Sequence, residues 1–230
     1  MSAPWTGSLR PARALFDALT ARPWLPAPAP GDAGATQPAA RTGLNVLLGV
    51  VTALFALLVV ALLIRAQLPD WAALAGSPAS PFATLAPLWA NTAVLLAGSI
   101  AMQFASRAAR LGQRGGARVA FLIGGLCALA FLAGQGWVWR QLVAGGHFVA
   151  ASPALSFFYL LTGLHGLHLA GGLVAWARAA RRLWRAAPAL SVALCARYWH
   201  FLFAVWLVLF GLLASPPPTL RALAEICGVR

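Results

Sequence analysis

Acidic side chains are almost missing. In 230 residues there are four, Asp17, Asp32, Asp70 and Glu225, and there is no lysine; all seventeen basic residues are arginine. None of the four acids lies inside a long apolar run, so the chain lacks the membrane-depth carboxylate that a proton-moving pump or transporter requires. Cysteine is nearly as scarce. Cys127, Cys195 and Cys227 form no CxxC, no CxxCH and no paired framework, which excludes covalent haem attachment and a cysteine-ligated zinc or dicopper site built from this chain alone. Charged residues reach only 9%, against roughly a quarter in soluble domains.

What fills the chain instead is apolar: 61% hydrophobic residues and a mean hydropathy of +0.79. A soluble domain of this size has too little core volume to bury so much, so lipid must solvate most of it. The net charge of +13 is no nucleic-acid signature, because the arginines punctuate long apolar runs instead of forming one patch.

Residues 1–42 are Ala/Pro-rich and read as a tail, with LRPARALFDALTAR (9–22) spaced as a short interfacial amphipathic helix. Five long apolar stretches follow, at about 43–65, 86–106, 119–139, 154–177 and 193–214, each long enough to cross roughly 30 Å of hydrocarbon. The fold class expected is an all-α polytopic membrane protein with five transmembrane helices. Thirteen arginines fall in the tail, the second loop and the fourth loop with its flank; only Arg65, Arg140, Arg221 and Arg230 fall on the other side. That bias predicts the N-terminus inside and the C-terminus outside. Residues 215–230 read as an external tail, SPPPTLRALAEICGVR, with a proline stop and a short amphipathic helix for which Thr219 is the expected N-cap.

Trp71, Trp89, Trp137, Trp139, Trp176 and Trp184 fall near expected span ends and suit interfacial belts. Small residues recur at Ala120, Gly124 and Ala128 in the third span, and at Thr162, Gly166 and Ala170 in the fourth. That spacing predicts one close-packing face on each. With no acid at depth, the ionisable groups of the spans are histidines: His165 and His168 share a face of the fourth, His200 lies near the start of the fifth, and His147 is in an outer loop. Three readings stay open. The imidazoles bond across helices to hydroxyls or carbonyls, they serve water- or lipid-linked roles such as reaching headgroups, or His165 or His168 pairs with His200 as a bis-His haem b site. Asn91, Thr92, Gln135, Tyr159 and Thr162 are further polar groups in apolar runs; each costs free energy unless paired, and together they predict an interior polar seam.

The segments PLWANTAVLLAGSIAMQFA, GQGWVWRQLVAGG, SFFYLLTGLHGLHLAGGLV and YWHFLFAVWLVLF, in this order, resemble subunit III of the haem–copper oxidases in its short five-span bacterial form. The resemblance covers roughly residues 43–214. It implies a non-catalytic accessory subunit that binds no cofactor itself. Haem and copper would sit in partner subunits, the catalytic subunit I and with it subunit II, and the assembly would serve aerobic electron transport in the bacterial inner membrane. It also implies phospholipid held in a cleft. Asn91, Thr92, Tyr159, Thr162, His165, Gly166, His168, Tyr198, Trp199 and His200 match motif positions and are expected in packing and lipid contact. Arg65, Arg140, Arg197 and His200 are the expected headgroup contacts, with no acid to compete for the arginines. The donor, cytochrome c or quinol, binds elsewhere in such complexes. An accessory subunit of a nitric oxide reductase is the neighbouring alternative. Two glutamates common in the family are replaced here, by Val51 and Val138.

Overall fold

In a computed structural model, residues 36–74, 80–82, 84–185 and 189–228 are described; the expected helix at 9–22 lies outside them. Two compact units are distinguished, residues 1–40 and 41–230, and the first is described only where it opens the first long helix. The elements are α1 (Thr36–Arg65), α2 (Ala86–Arg110), α3 (Arg114–Ala144), a 3-10 turn (Val149–Ala151), α4 (Pro153–Arg185), α5 (Ala189–Ala214) and α6 (Pro217–Ile226). Apart from one isolated bridge, Phe82 N–H to the Leu74 carbonyl, the described residues hold no extended pairing. α1 to α5 are long and apolar enough to cross a membrane, and helices keep every backbone bond internal where no water can serve.

Each span overshoots the stretch its hydropathy marks. α4 runs 33 residues, about 50 Å at 1.5 Å per residue, and carries Arg178, Arg181 and Arg182 beyond the expected end at 177. Arginine is a good helix former with a long stem, so the helix continues where the apolar run stops. Glycine sets two of the turns. Gly112 and Gly146 take φ of +72° and +80°, and the next amides, Gln113 and His147, bond back to the Ala108 and Leu142 carbonyls at 2.9 Å. These are Schellman ends, which reverse the chain after α2 and α3. In α6 the cap is Pro216, with Pro217 and Pro218 opening the helix. Thr219 is therefore inside the first turn, not the N-cap, because proline's fixed φ and missing N–H suit that position.

The backbones of α2 and α3 run closest together, and α2–α5, α4–α5 and α3–α4 complete a four-helix bundle. α1 approaches no other helix so closely and packs through long side chains, with Val51, Phe55, Leu62 and Leu63 buried. α6 lays Leu220 and Ala224 into the same core.

Glycine explains the tight approaches. A Cβ at Gly98 would meet Cys127 at 2.8 Å, and one at Gly124 would meet Met102 at 2.8 Å. On α3 the expected stripe holds at Gly124 and Ala128, but its tightest seat is Gly125, under the Trp176 ring. On α4 the expectation holds only in part: Thr162 is buried and Gly166 meets Leu132, while Ala170 is exposed. The close approach there is Gly172, where a Cβ would lie 2.6 Å from Tyr198.

Candidate functional site

Two features gather the predicted residues: a polar seam inside the bundle and an apolar cleft beside α1. The seam begins with Asn91, whose Nδ2 donates to Gln135 Oε1 at 3.2 Å and whose amide oxygen rests on Gly134. One residue on, Thr92 Oγ1 donates to the Leu88 carbonyl and accepts the Trp206 indole N–H at 2.9 Å. Thr162 does the same on α4, donating to the Phe158 carbonyl and accepting from Trp139 Nε1. A hydroxyl that donates within its own helix and accepts from a neighbour joins two helices without stranding a donor in hydrocarbon.

Further along, His200 lies between two side chains of α2. Its Nε2 donates to Gln103 Oε1 at 3.1 Å, and its Nδ1 accepts from Ser99 Oγ at 2.5 Å. The carbonyl oxygen of Gln103 only accepts, which fixes this tautomer. His200 is eleven residues into α5, mid-helix and not near its start. Both ring nitrogens are occupied, so it is no headgroup contact, and a haem ligand there would have to displace Ser99 or Gln103. Sequence reasoning missed both partners. They sit four apart in GSIAMQFA on the same helix face as Thr92, and that run of polar spacings was the available signal.

His168 Nδ1 donates to the Leu164 carbonyl at 2.8 Å, and the Tyr198 hydroxyl donates to the His168 carbonyl at 2.9 Å. Tyr159 donates to the His147 carbonyl, and the Trp199 indole donates to the Gly124 carbonyl. His165 is fully buried against Phe131 and Trp206, with ring centroids 5.6 and 5.4 Å away. Among the described residues no group of three His, Cys, Asp or Glu side chains is placed to hold a metal. Trp139 and Trp176 are not simple belt residues either, since each indole bonds to a neighbouring helix. Trp89, Trp137 and Trp184 are exposed, as a belt requires.

The cleft, ≈ 450 Å³, lies between Leu44 and Leu47 of α1, Leu167, His168, Gly172 and Ala175 of α4, and Leu194, Cys195 and Tyr198 of α5. Its lining residues lie near the arginine-bearing ends of these helices. Exposed Arg41 lies one helical turn before Leu44, exposed Arg178 one turn beyond Ala175, and exposed Arg197 beside Tyr198. Arg140 is exposed at the opposite end and borders a shallow groove with Trp139 and Tyr159. The expectation that no acid competes for the arginines fails at Arg65, whose two terminal nitrogens both bind Asp70, at 2.7 and 2.5 Å. The loop after α1 turns back and brings the acid five residues on to the guanidinium.

A family model described as cytochrome c oxidase subunit III matches residues 35–214. The chain belongs to that family. It is 37% identical over 123 residues to a protein named "Probable cytochrome c oxidase subunit 3" of Mycobacterium tuberculosis, covering 52% of this chain and 61% of that one. A protein of the same name in Nocardia farcinica is 38% identical over 124 residues, again with 52% and 61% covered. "Cytochrome c oxidase subunit 3" of Synechocystis is 32% identical over 125 residues, 52% of each chain. The matched part thus spans about three fifths, or less, of these relatives' length. As a subunit III family chain with five apolar helices, the protein is a multi-pass membrane protein. Val51 and Val138, which stand where the family resemblance leads one to expect glutamate, are 2% and 3% exposed. Each is built into the apolar core, where an unpaired carboxylate would be costly.

Proposed function

We propose that this chain is the non-catalytic accessory subunit of a respiratory haem–copper terminal oxidase, and that it seats phospholipid and protects the catalytic subunit. Family membership supports the oxidase assignment. The single observation that carries the lipid role is the cleft: apolar along its walls, open along the bundle's flank, and flanked at one end by Arg41, Arg178 and Arg197. Acyl chains fit such walls, and guanidinium groups pair with phosphate through parallel donors. By the arginine bias the flanked end faces the cytoplasm and the C-terminal helix α6 faces outward. On this reading the chain holds no redox group. Haem and copper belong to subunit I and subunit II of a complex in the bacterial inner membrane.

The test is to purify the complex with and without this subunit and follow oxygen consumption over time. The expected result is unchanged haem spectra, a normal initial rate, and progressive inactivation during turnover when the subunit is missing. The catalytic subunit would then expose a face that is normally covered, and local opening there becomes easier. A haem spectrum already altered before turnover overturns the accessory reading. Lipid that washes out with no change in stability overturns the lipid role. Orientation is checked with an impermeant maleimide on the exposed native Cys227 and on Gln113→Cys, which must label from opposite sides.

A further inference from the structure

Four buried nitrogens among the described residues have no hydrogen-bond partner within the protein: Arg118 Nε near the start of α3, and, within the bundle, Nδ1 and Nε2 of His165 and Nε2 of Gln135. His165 is 0% exposed and Gln135 4%. Helix register brings the two side chains level. α3 and α4 run antiparallel, with Trp139 bonded to Thr162 on one side of this level. Phe131 packs edge-on against His165 just beyond it, and the Trp176 indole bonds to the Phe121 carbonyl further along. Gln135 is one turn from Phe131 on the same side of α3, which puts it within about a turn of the height of His165, with its amide oxygen turned to Asn91 of α2.

The neighbouring polar groups are already committed. Gln135 Oε1 accepts from Asn91, the Trp206 indole N–H is given to Thr92, and Thr162 is used by Trp139 and the Phe158 carbonyl. His168 Nδ1 is bonded within its own helix. Orphaned polar groups at this depth are rare and costly. A neutral imidazole carries one donor and one acceptor, and the glutamine nitrogen is a donor. The missing partner must therefore accept from Gln135, and toward the imidazole it either accepts from the protonated nitrogen or donates to the bare one. Water does both, and buried waters characteristically bridge such groups. A metal ion does not fit, since it cannot accept the Gln135 N–H and finds no anionic ligand near.

We propose that the bundle interior holds an ordered water between Gln135 Nε2 and a ring nitrogen of His165, which ties His165 into the hydrogen-bonded seam linking α2, α3 and α4. The water is a built-in part of the fold, and His165 is its anchor.

The first test is a high-resolution density map of the full chain in its membrane complex. It should show an isolated peak within about 3.2 Å of Gln135 Nε2 and of one His165 nitrogen. A direct Gln135–His165 bond, closed apolar packing with no peak, or a peak at metal-ligand distance of about 2.0–2.1 Å each overturns it. The second is a double-variant cycle with His165→Phe, Gln135→Leu and the pair, read as melting temperature. A bridged pair predicts that each single variant lowers it and that the double falls little below the worse single, because the second change strands no new group. Strictly additive losses overturn the bridge. The Asn91 amide loses its acceptor equally in Gln135→Leu and in the double, so it cancels from the comparison.

Discussion

α1 and α2 cross the same membrane on opposite terms. α1 carries the most apolar membrane-length stretch of the five helices, with 22% of it buried; the corresponding stretch of α2 is the least apolar, with 50% buried. In water the ordering would be reversed. In lipid an apolar surface gains nothing by leaving its solvent, so helix association rests on close packing and interhelical hydrogen bonds. α2 supplies both, with Gly98 against Cys127 and with Asn91, Thr92, Ser99 and Gln103 each bonded to another helix. α1 supplies neither. Its polar contact in the span, Thr52 to the Leu48 carbonyl, stays within its own helix, and the cleft opens where it fails to close on α4 and α5. The bundle is specified by fit and polarity; α1 is held by bulk and, on our reading, by lipid.

The sharpest way to break that contrast is a single methyl group placed in each region. Gly125→Ala drives a Cβ into the Trp176 ring and threatens the indole bond to Phe121. Overpacking of this kind costs about 1–3 kcal/mol. Gly49→Ala on α1 meets nothing within 4 Å and should be neutral or slightly stabilising, since alanine is the better helix former. Thermal or SDS unfolding of the purified chain reads both, and equal effects would erase the distinction. The next largest effect is expected of Thr92→Val, which leaves the buried Trp206 N–H without its acceptor. A loss of about 1–2 kcal/mol is expected. Thr52→Val, its counterpart on α1, should change stability by less than about 0.5 kcal/mol.

How far the sequence reading reached follows the same divide. All five spans were legible from apolar length, because the membrane sets that length directly. The ends at Arg65, Ala86 and Ala214 were legible too, but most of the others were not, since the helices run on, mostly through arginines that a hydropathy window treats as stops. Within the bundle, Asn91, Thr92, Gln135, Thr162 and His165 stood out as polar positions that must be satisfied, and four of them are tied across helices. Their partners were invisible, because pairing of Ser99 with His200 or of Thr92 with Trp206 spans about a hundred residues of sequence and depends on which helices become neighbours. The cleft was least legible of all. Leu44 and Leu47 line it, yet they look no different in sequence from the leucines of α1 that face lipid.

If lipid holds α1, removing it should loosen α1 and leave the bundle alone. A site filled about tenfold above its dissociation constant adds about 1.4 kcal/mol. Phospholipase treatment of the complex should therefore speed amide exchange roughly tenfold over residues 44–58, with α2 and α3 unchanged. Arg197→Ala should shift α1 in the same direction to a smaller degree. Equal loosening of α1 and α2 would locate the lipid elsewhere.

The smallest effect belongs to the end of α1, where Arg65 and Asp70 form an exposed ion pair with side chains 29% and 59% accessible. The Arg65 hydrogen bonds hold the Asp70 carboxyl below its ordinary value, with the charge of the guanidinium acting in the same direction. A carboxylate whose pKa is lowered by folding contributes stability above its unfolded pKa, and that contribution disappears as the pH falls through the folded pKa. The loop after α1 should thus loosen only below the usual carboxylate range, and water and salt around so exposed a pair will keep the step small. Exchange of the Leu68 and Trp71 amides, followed on acidification at low and high salt, reads it directly, and Asp70→Asn should remove the step. A step of the same size in the Asn91–Gln135 region, which holds no carboxylate, would mean that the two regions are coupled after all.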